Sequence, residues 1–233
     1  MSYSSAVLAD NPTAYWQMNE TSGTTITDTI NSYVLTAAGT PFINQPSPVD
    51  RSINTNNGGG AYTAAGAANL RWALDTDLCI EFIHQRGNLS TNTSGLLGHR
   101  TSSSADQHYA IFYIGGFLVL DVPSSSFRWT PNVSANDLFW HHYVFNHFGP
   151  TGNRELWIDG VLRSSTSAIS KPTSATAVSG TFSIGNVAGQ GATAGNLDEV
   201  AIYNGATLSS SQIQAHWREL LNSNTKNFLF ASL

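Results

Sequence analysis

Short segments with alternating or continuous apolar residues, each bounded by turn residues, recur along the whole 233-residue chain. Leu78, Ile80 and Phe82 alternate with other side chains, which places the three on one face of a strand. Asp159 and Gly160 separate two such segments by only two residues, the spacing of a tight hairpin. Many short strands joined by turns predict an all-β sandwich or barrel. The predicted strands are residues 14–18, 33–36, 61–63, 78–84, 95–100, 108–114, 117–121, 138–145, 155–158, 161–164, 180–184 and 196–203.

Two short helices are predicted at the ends of the chain. The first covers residues 3–9 and ends before Pro12, because a proline disfavours helical backbone in the residue that precedes it. The second begins with a capping box, in which Ser209 is the N-cap and Gln212 follows three residues later. No change in composition divides the chain, so we predict one domain over residues 1–221. The tail 222–233 contains an apolar stretch that either returns to the body as a strand or forms an assembly contact.

Composition and charge exclude several classes of function. Charged residues are 11% of the chain, the net charge is −5, and the 10 basic residues form no cluster. Nucleic-acid binding requires a basic surface that neutralises phosphates, so we predict no nucleic-acid partner. No apolar run approaches the ~18 residues of a membrane span, so we predict no membrane insertion. The single cysteine, Cys79, excludes an internal disulfide and is interpreted as a small core residue.

Three segments carry a resemblance to a known family. They are residues 7–25, VLADNPTAYWQMNETSGTT; residues 140–144, WHHYV, with 156–160, LWIDG; and residues 195–204, GNLDEVAIYN. In this order and spacing they resemble the laminin-G-like, concanavalin-A-like domains of secreted bacterial proteins and phage virion proteins. The resemblance spans residues 7–220 and implies a jelly-roll sandwich of two antiparallel sheets. That architecture hosts lectins, adhesion modules and some glycosidases, so fold alone does not assign function.

The resemblance also implies a metal site. Domains of this family often hold one calcium ion where the first and last strands meet, and calcium takes six to eight oxygen ligands. By resemblance, Asp28 and Asp198 are the expected side-chain ligands, with Glu20 as a weaker candidate. The alternative is that Asp28 begins a turn and Asp198 caps local backbone N–H groups.

Acidic and histidine residues give little sign of catalysis or of a zinc site. A glycosidase needs two carboxyl groups about 5–10 Å apart. Asp198 and Glu199 are adjacent in a predicted strand, which should point them to opposite faces, and no other predicted strand carries paired carboxylates. His141 and His142 are adjacent in the same way, and we interpret His142 as a core residue. We therefore predict a protein that is not an enzyme and holds no zinc.

Sugar-binding surfaces combine exposed aromatic rings with polar side chains. Trp72, Tyr109, Tyr113 and Trp129 lie in or near loops or alternating strands that can present such a surface. The alternative for each of them is packing in the core.

The leading functional hypothesis is a phage virion protein of the head-decoration, fibre or tail type. This hypothesis is based on a chain that starts at Met1 without a secretion signal and resembles domains of virion proteins. Its expected partners are other virion subunits, further copies of itself and a host-surface glycan. The alternative hypothesis is a secreted carbohydrate-binding or adhesion module located at the cell surface. The third hypothesis is a glycoside hydrolase.

Overall fold

The computed structural model describes residues 1–39, 42–55, 61–64, 70, 76–87, 93–100, 107–121, 137–166, 181–187, 191–192 and 195–223. Within these residues the chain forms strands in two sheets and two helices, which confirms the predicted all-β sandwich with short terminal helices. The strands are β1 (Ala14–Trp16), β2 (Thr25–Thr27), β3 (Val34–Ala38), β4 (Phe42–Pro46), β5 (Arg51–Asn54), β6 (Ala61–Ala64), β7 (Leu78–Arg86), β8 (Ser94–Arg100), β9 (Gln107–Ile114), β10 (Phe117–Asp121), β11 (Trp140–Phe148), β12 (Asn153–Ile158), β13 (Val161–Thr166), β14 (Thr181–Ile184), β15 (Asn186–Val187), β16 (Gly191–Ala192) and β17 (Gly195–Asn204). The helices are α1 (Tyr3–Ala9) and α2 (Ser210–Ser223).

The two sheets are almost entirely antiparallel. Sheet A has the order β13-β12-β11-β7-β17-β5-β4, and β1 also pairs with β17. Sheet B has the order β10-β9-β8-β14-β6-β3-β2, with β15 and β16 attached beside β8. The exception to antiparallel pairing is a short parallel bridge between β16 and β8. The first long predicted strand and the last, β7 and β17, are neighbours at the centre of sheet A.

Apolar side chains fill the space between the sheets. Phe82, Tyr143 and Phe145 of sheet A face Tyr109 and Phe182 of sheet B in this inter-sheet core. β11, which corresponds to the predicted strand 138–145, is buried along almost its whole length and therefore on both faces. Sheet B buries only the inner face of sheet A. Burial of the outer face therefore requires another layer of structure as a cover on that side.

The two helices form that cover. Val7 of α1 and Ile213 and Leu220 of α2 pack on outward-facing residues of sheet A, such as Val144, in a second apolar cluster that we call the outer core. The predicted capping box of α2 is present. The Ser209 N–H donates to Gln212 Oε1 at 2.9 Å, and Ser209 Oγ lies 3.4 Å from the Gln212 N–H.

Five strands were not predicted: β2, β4, β5, β15 and β16. β4 alternates between exposed and half-exposed residues at the edge of sheet A, so it carries no apolar face for a sequence pattern to reveal. β15 and β16 have two residues each, too few for any periodicity. At the other end of the chain, α2 continues to Ser223, beyond the predicted boundary at residue 221, and the remainder of the predicted tail lies outside the described residues.

Candidate functional site

A cavity of about 600 Å³ opens at the end of sheet A where β11, β12 and β13 meet. This volume lies within the range of sites that enclose small ligands, about 300–1,000 Å³. The cavity combines polar and apolar walls. The residues that line it include Asp77, Thr151, Asn153 and Glu155 together with Phe148 and Pro150.

One wall is held by Asp77, which immediately precedes β7. Its carboxylate Oδ1 accepts a hydrogen bond from the Gly149 N–H at 2.9 Å, and its backbone carbonyl accepts one from Gly205 at 2.8 Å. The turn after β11 closes through Gly152, whose N–H donates to the Phe148 carbonyl at 2.7 Å. Gly152 has φ +73°, a conformation that favours glycine. Asp77 Oδ2 makes no hydrogen bond within the described part of the chain.

Glu155 on β12 is fixed in a similar way. Its Oε2 accepts a hydrogen bond from Trp157 Nε1 at 2.9 Å and a longer one from Asn146 Nδ2 at 3.4 Å. Asn146 is itself held, because its side chain donates to the Leu208 carbonyl and accepts from the Leu208 N–H. Glu155 Oε1 has no hydrogen-bond partner among the residues that the structure describes. Hydrogen bonds to Oε2 therefore fix the orientation of the carboxylate, and Oε1 can accept a hydrogen bond from a ligand.

Arg154 also borders the cavity, but its side chain turns into the sandwich. It is 1% exposed, and its Nε donates to His147 Nδ1 at 3.2 Å. Burial lowers the pKa of Arg154 to about 10, whereas the negative charge of Asp121 favours the guanidinium cation. The positive charge is thus directed toward the interior and away from the opening.

This arrangement suits a ligand that is rich in hydroxyl groups. A carboxylate can only accept hydrogen bonds, and a hydroxyl can donate one while accepting another from an amide or a threonine. Phe148 and Pro150 add apolar surface against which C–H groups can pack. The sequence analysis missed this site because its residues come from four separate segments. Only 11% of the residues are charged, so the adjacent charges of Arg154 and Glu155 were the one sequence signal that could have pointed to this site.

The aromatic residues predicted to bind sugar are not arranged as a surface platform. Tyr109 is 0% exposed and Tyr113 is 1% exposed, and both belong to the inter-sheet core. Alternation along β9 places both on its inner face, where the Arg86 guanidinium lies 4.4 Å from the centre of the Tyr113 ring. The alternative of core packing therefore describes these two tyrosines, and surface binding is a wrong prediction for them. Trp72 and Trp129 lie outside the described residues.

Asp28, a predicted calcium ligand, is buried at the start of a turn. Its carboxylate accepts backbone N–H groups from Tyr15, Ile30 and Asn31. Three donors around one carboxylate match the turn-forming role of aspartate, which was the alternative interpretation. The three N–H groups occupy most of the roughly four acceptor positions of the carboxylate.

The other two predicted ligands have different partners. Asp198 accepts hydrogen bonds from Ser47 Oγ at 2.6 Å and from the Glu199 N–H at 2.9 Å. Glu20 accepts from the Thr27 N–H at 3.2 Å, and its second oxygen is buried without a partner. No group of three or more His, Cys, Asp or Glu side chains in the described ranges is placed to hold a metal ion. Calcium stays a prediction, which the hydrogen bonds at Asp28 and Asp198 do not support.

The prediction that Asp198 and Glu199 point to opposite faces is wrong. The pairing of β17 with β7 shifts register between Asp198 and Ala201, and Glu199 has φ +52°. One extra residue is therefore inserted in β17 as a β-bulge, which breaks the alternation of faces. Leu197 and Val200 both reach the inter-sheet core, and the two acids between them share the outer side.

Both acids are completely buried. Glu199 accepts hydrogen bonds from the Tyr15 hydroxyl and, at 3.4 Å, from Ser4 Oγ of the helix. Burial raises the pKa of Asp198, and burial together with the adjacent Asp198 charge raises the pKa of Glu199. The bulge thus removes the geometric argument against a catalytic pair. In its place, burial leaves these two carboxyl groups with no access to a substrate.

A third buried acid, Glu81, joins both helices to sheet A. Its carboxylate accepts hydrogen bonds from Tyr3 of α1 at 3.0 Å and from Tyr203 of β17 at 3.1 Å. It also contacts His142 Nε2 at 2.6 Å and His216 Nδ1 of α2 at 3.0 Å. Burial alone would raise the pKa of Glu81, but the charges and hydrogen bonds of His216 and His142 lower it well below its usual range. We call these five residues the Glu81 network.

The family assignment agrees with this architecture. A laminin G-type family model, described as the concanavalin A-like lectin/glucanases superfamily, matches residues 57–214. The chain belongs to the concanavalin A-like lectin/glucanases superfamily. The match confirms the family recognised in the sequence, and it extends from residue 57, ahead of β6, to residue 214 in α2. No curated protein matches the chain.

Solved structures show the same lectin-type fold in receptor-binding domains. The binding domain of botulinum neurotoxin DC in complex with rat synaptotagmin II has a TM-score of 0.68 and 16% identity over 91% of this chain and 52% of that one. A botulinum neurotoxin type C structure, described for cell entry through interaction with two ganglioside molecules, has a TM-score of 0.69 and 15% identity over 94% and 53%. This superfamily member therefore spans about half the length of those chains. At such identity the likeness establishes fold alone. No helix in the described residues is long and apolar enough to cross a membrane.

Proposed function

We propose that this member of the concanavalin A-like superfamily is a carbohydrate-binding attachment domain that performs no catalysis. The observation that carries the proposal is the cavity beside β11, β12 and β13. It combines carboxylates held in fixed orientations with apolar surface in a volume suited to one or two sugar rings. The neurotoxin domains of similar fold bind receptors, which is consistent with a binding role for such a sandwich.

The absence of catalysis is part of the proposal. Asp198 and Glu199, the adjacent acids of β17, are fully buried, so they cannot reach a glycosidic bond. Glu81 is also covered, and its carboxylate is used by the hydrogen bonds of the Glu81 network. Asp77 and Glu155 are the acids that a sugar in the cavity can reach, and we propose that they act there as hydrogen-bond acceptors and not as the acid–base pair of a hydrolase.

We further propose a location in a phage virion, where the domain would display its cavity to a host-surface glycan. Support comes from the resemblance to virion domains in residues 7–25 and 195–204. Association with other copies is proposed as well, because β13 and β4 form the edges of sheet A and expose Leu162 and Phe42. Unpaired edge strands are common sites of strand pairing between chains.

A glycan array followed by calorimetry tests the binding function. We expect micromolar to millimolar affinity for at least one glycan. The Asp77→Ala variant should bind at least about tenfold more weakly, because a charged acceptor contributes roughly 1.5–3 kcal/mol. Glu219→Gln on α2 serves as the control, since Glu219 is absent from the cavity lining. Failure to bind any glycan on a broad array would refute carbohydrate binding. Detection of the protein in purified virions by mass spectrometry tests its location, and light scattering tests self-association.

A further inference from the structure

The charged residues in the described lining of the cavity are two acids, Asp77 and Glu155, and one base, Arg154. Asp77 Oδ2 and Glu155 Oε1 make no hydrogen bond within the described part of the chain, while the second oxygen of each carboxylate is anchored by N–H donors. The anchors fix the direction of each carboxylate before any ligand arrives. The cavity is therefore lined by two negatively charged hydrogen-bond acceptors in fixed orientations.

No matching positive charge is available on the described walls. Arg154 is the basic residue in the described lining, and its side chain is 1% exposed and bonded to His147 inside the sandwich. Asp121 lies close enough to favour the guanidinium charge from the interior side. A carboxylate on a ligand would thus meet Asp77 and Glu155 without contact to the guanidinium.

We propose that the cavity selects saccharides without negative charge, including amino sugars, and rejects sialylated or other anionic glycans. This inference rests on the proposed carbohydrate-binding function and names its ligand class. Hydroxyl and ammonium groups can donate to Asp77 Oδ2 and Glu155 Oε1, whereas a ligand carboxylate can only accept. Like charges in a partly enclosed site repel strongly, because the low-polarity walls reduce the screening by water.

Paired glycans test the selectivity. Each uncharged glycan that binds is compared with its sialylated counterpart, for example lactose with 3′-sialyllactose, by calorimetry on the full chain. We expect the sialylated member of each pair to bind about tenfold more weakly or worse at low salt. The difference should shrink as the salt concentration rises, because counterions screen the repulsion.

Charge-neutral variants identify the source of the selectivity. Asp77→Asn and Glu155→Gln keep the shape of each side chain and remove one negative charge. We expect both variants to bring the affinity ratio of the paired glycans closer to one. The control variant Glu219→Gln removes the same charge from α2 and should leave the ratio unchanged.

The outcomes separate this inference from the proposed function. Equal or tighter binding of sialylated glycans by the unmodified protein would overturn the selectivity and leave carbohydrate binding in place. An unchanged ratio in both Asp77→Asn and Glu155→Gln would also overturn it, because the repulsion would then arise elsewhere. Binding to no glycan would overturn both proposals together.

Discussion

Replacing Asp198 with asparagine should stabilise the protein at alkaline pH. Asp198 and Glu199 are both fully buried on the outer side of β17, and burial raises the pKa of each carboxyl group. A raised folded-state pKa means that ionisation opposes folding. The stabilising contribution of the protonated pair is complete below pH ~4, the unfolded pKa of a carboxyl group, and is lost as pH rises through the folded pKa.

Asp198→Asn preserves the surrounding hydrogen bonds. The amide oxygen can still accept from the Glu199 N–H, and the amide nitrogen can donate to Ser47 Oγ in place of the present bond from the serine hydroxyl. The substitution removes one buried charge and its repulsion on Glu199. Each unit by which folding raises the pKa of a carboxyl group corresponds to about 1.4 kcal/mol of folding free energy lost when that group ionises. In a domain of this size, each 1 kcal/mol corresponds to about 2–4 °C in Tm.

Urea unfolding and thermal melting at pH 4 and pH 8 measure this effect. We expect the variant to gain about 1–3 kcal/mol at pH 8 and almost nothing at pH 4, where both carboxyl groups are protonated. Glu219→Gln removes a more exposed charge and should show little change at either pH. A gain of equal size at both pH values, or a loss at pH 8, would refute the claim that ionisation of this pair opposes folding.

Three further outcomes follow from other parts of the structure. Glu81→Gln should lower the free energy of unfolding by about 1.5–3 kcal/mol near pH 6 in urea titrations, because it removes the buried charge that accepts hydrogen bonds from both helices, while Asp10 remains 3.0 Å from His216 Nε2; an effect below about 1 kcal/mol would contradict this role. Gly195→Ala should lower the melting temperature, since the added Cβ would lie 2.2 Å from the Gln85 carbonyl oxygen. Gly23→Ala is the matched control at positive φ, because its Cβ meets no atom within 4 Å. Equal melting temperatures for the two variants would contradict the predicted clash in β17. Thermal melting with added calcium or with EDTA tests the predicted calcium site: the N–H donors around Asp28 lead us to expect an unchanged Tm, and a calcium-dependent rise in Tm would support the site.

Most of sheet A could be predicted from the sequence because its strands carry long apolar patterns. β7 shows Leu78, Ile80 and Phe82 at alternate positions, and all three reach the inter-sheet core. The Ser209 capping box likewise located the start of α2. These features depend on neighbours in sequence, so they can be read without knowing the tertiary structure.

The parts that could not be predicted depend on contacts between distant segments. The bulge at Glu199 has no glycine or proline to mark it, and its positive φ is held by bonds to α1 and β1. The cavity brings Asp77 together with Glu155, residues that are 78 positions apart. Tyr109 and Tyr113 showed the expected alternation, but periodicity alone does not tell which face of a strand is buried.

The Glu81 network has a mechanical consequence. Tyr3 and His216, one from each helix, are bonded to the same carboxylate at the centre of sheet A. Tension applied to the domain through α1 and α2 therefore loads these hydrogen bonds and the packing of the outer core first. The segment that leads into α2 is also tied to the cavity, because Leu208 bonds to Asn146 beside Glu155 and the Gly205 N–H donates to the Asp77 carbonyl. A pull on α2 that breaks the contacts of the helix would therefore next load the walls of the cavity.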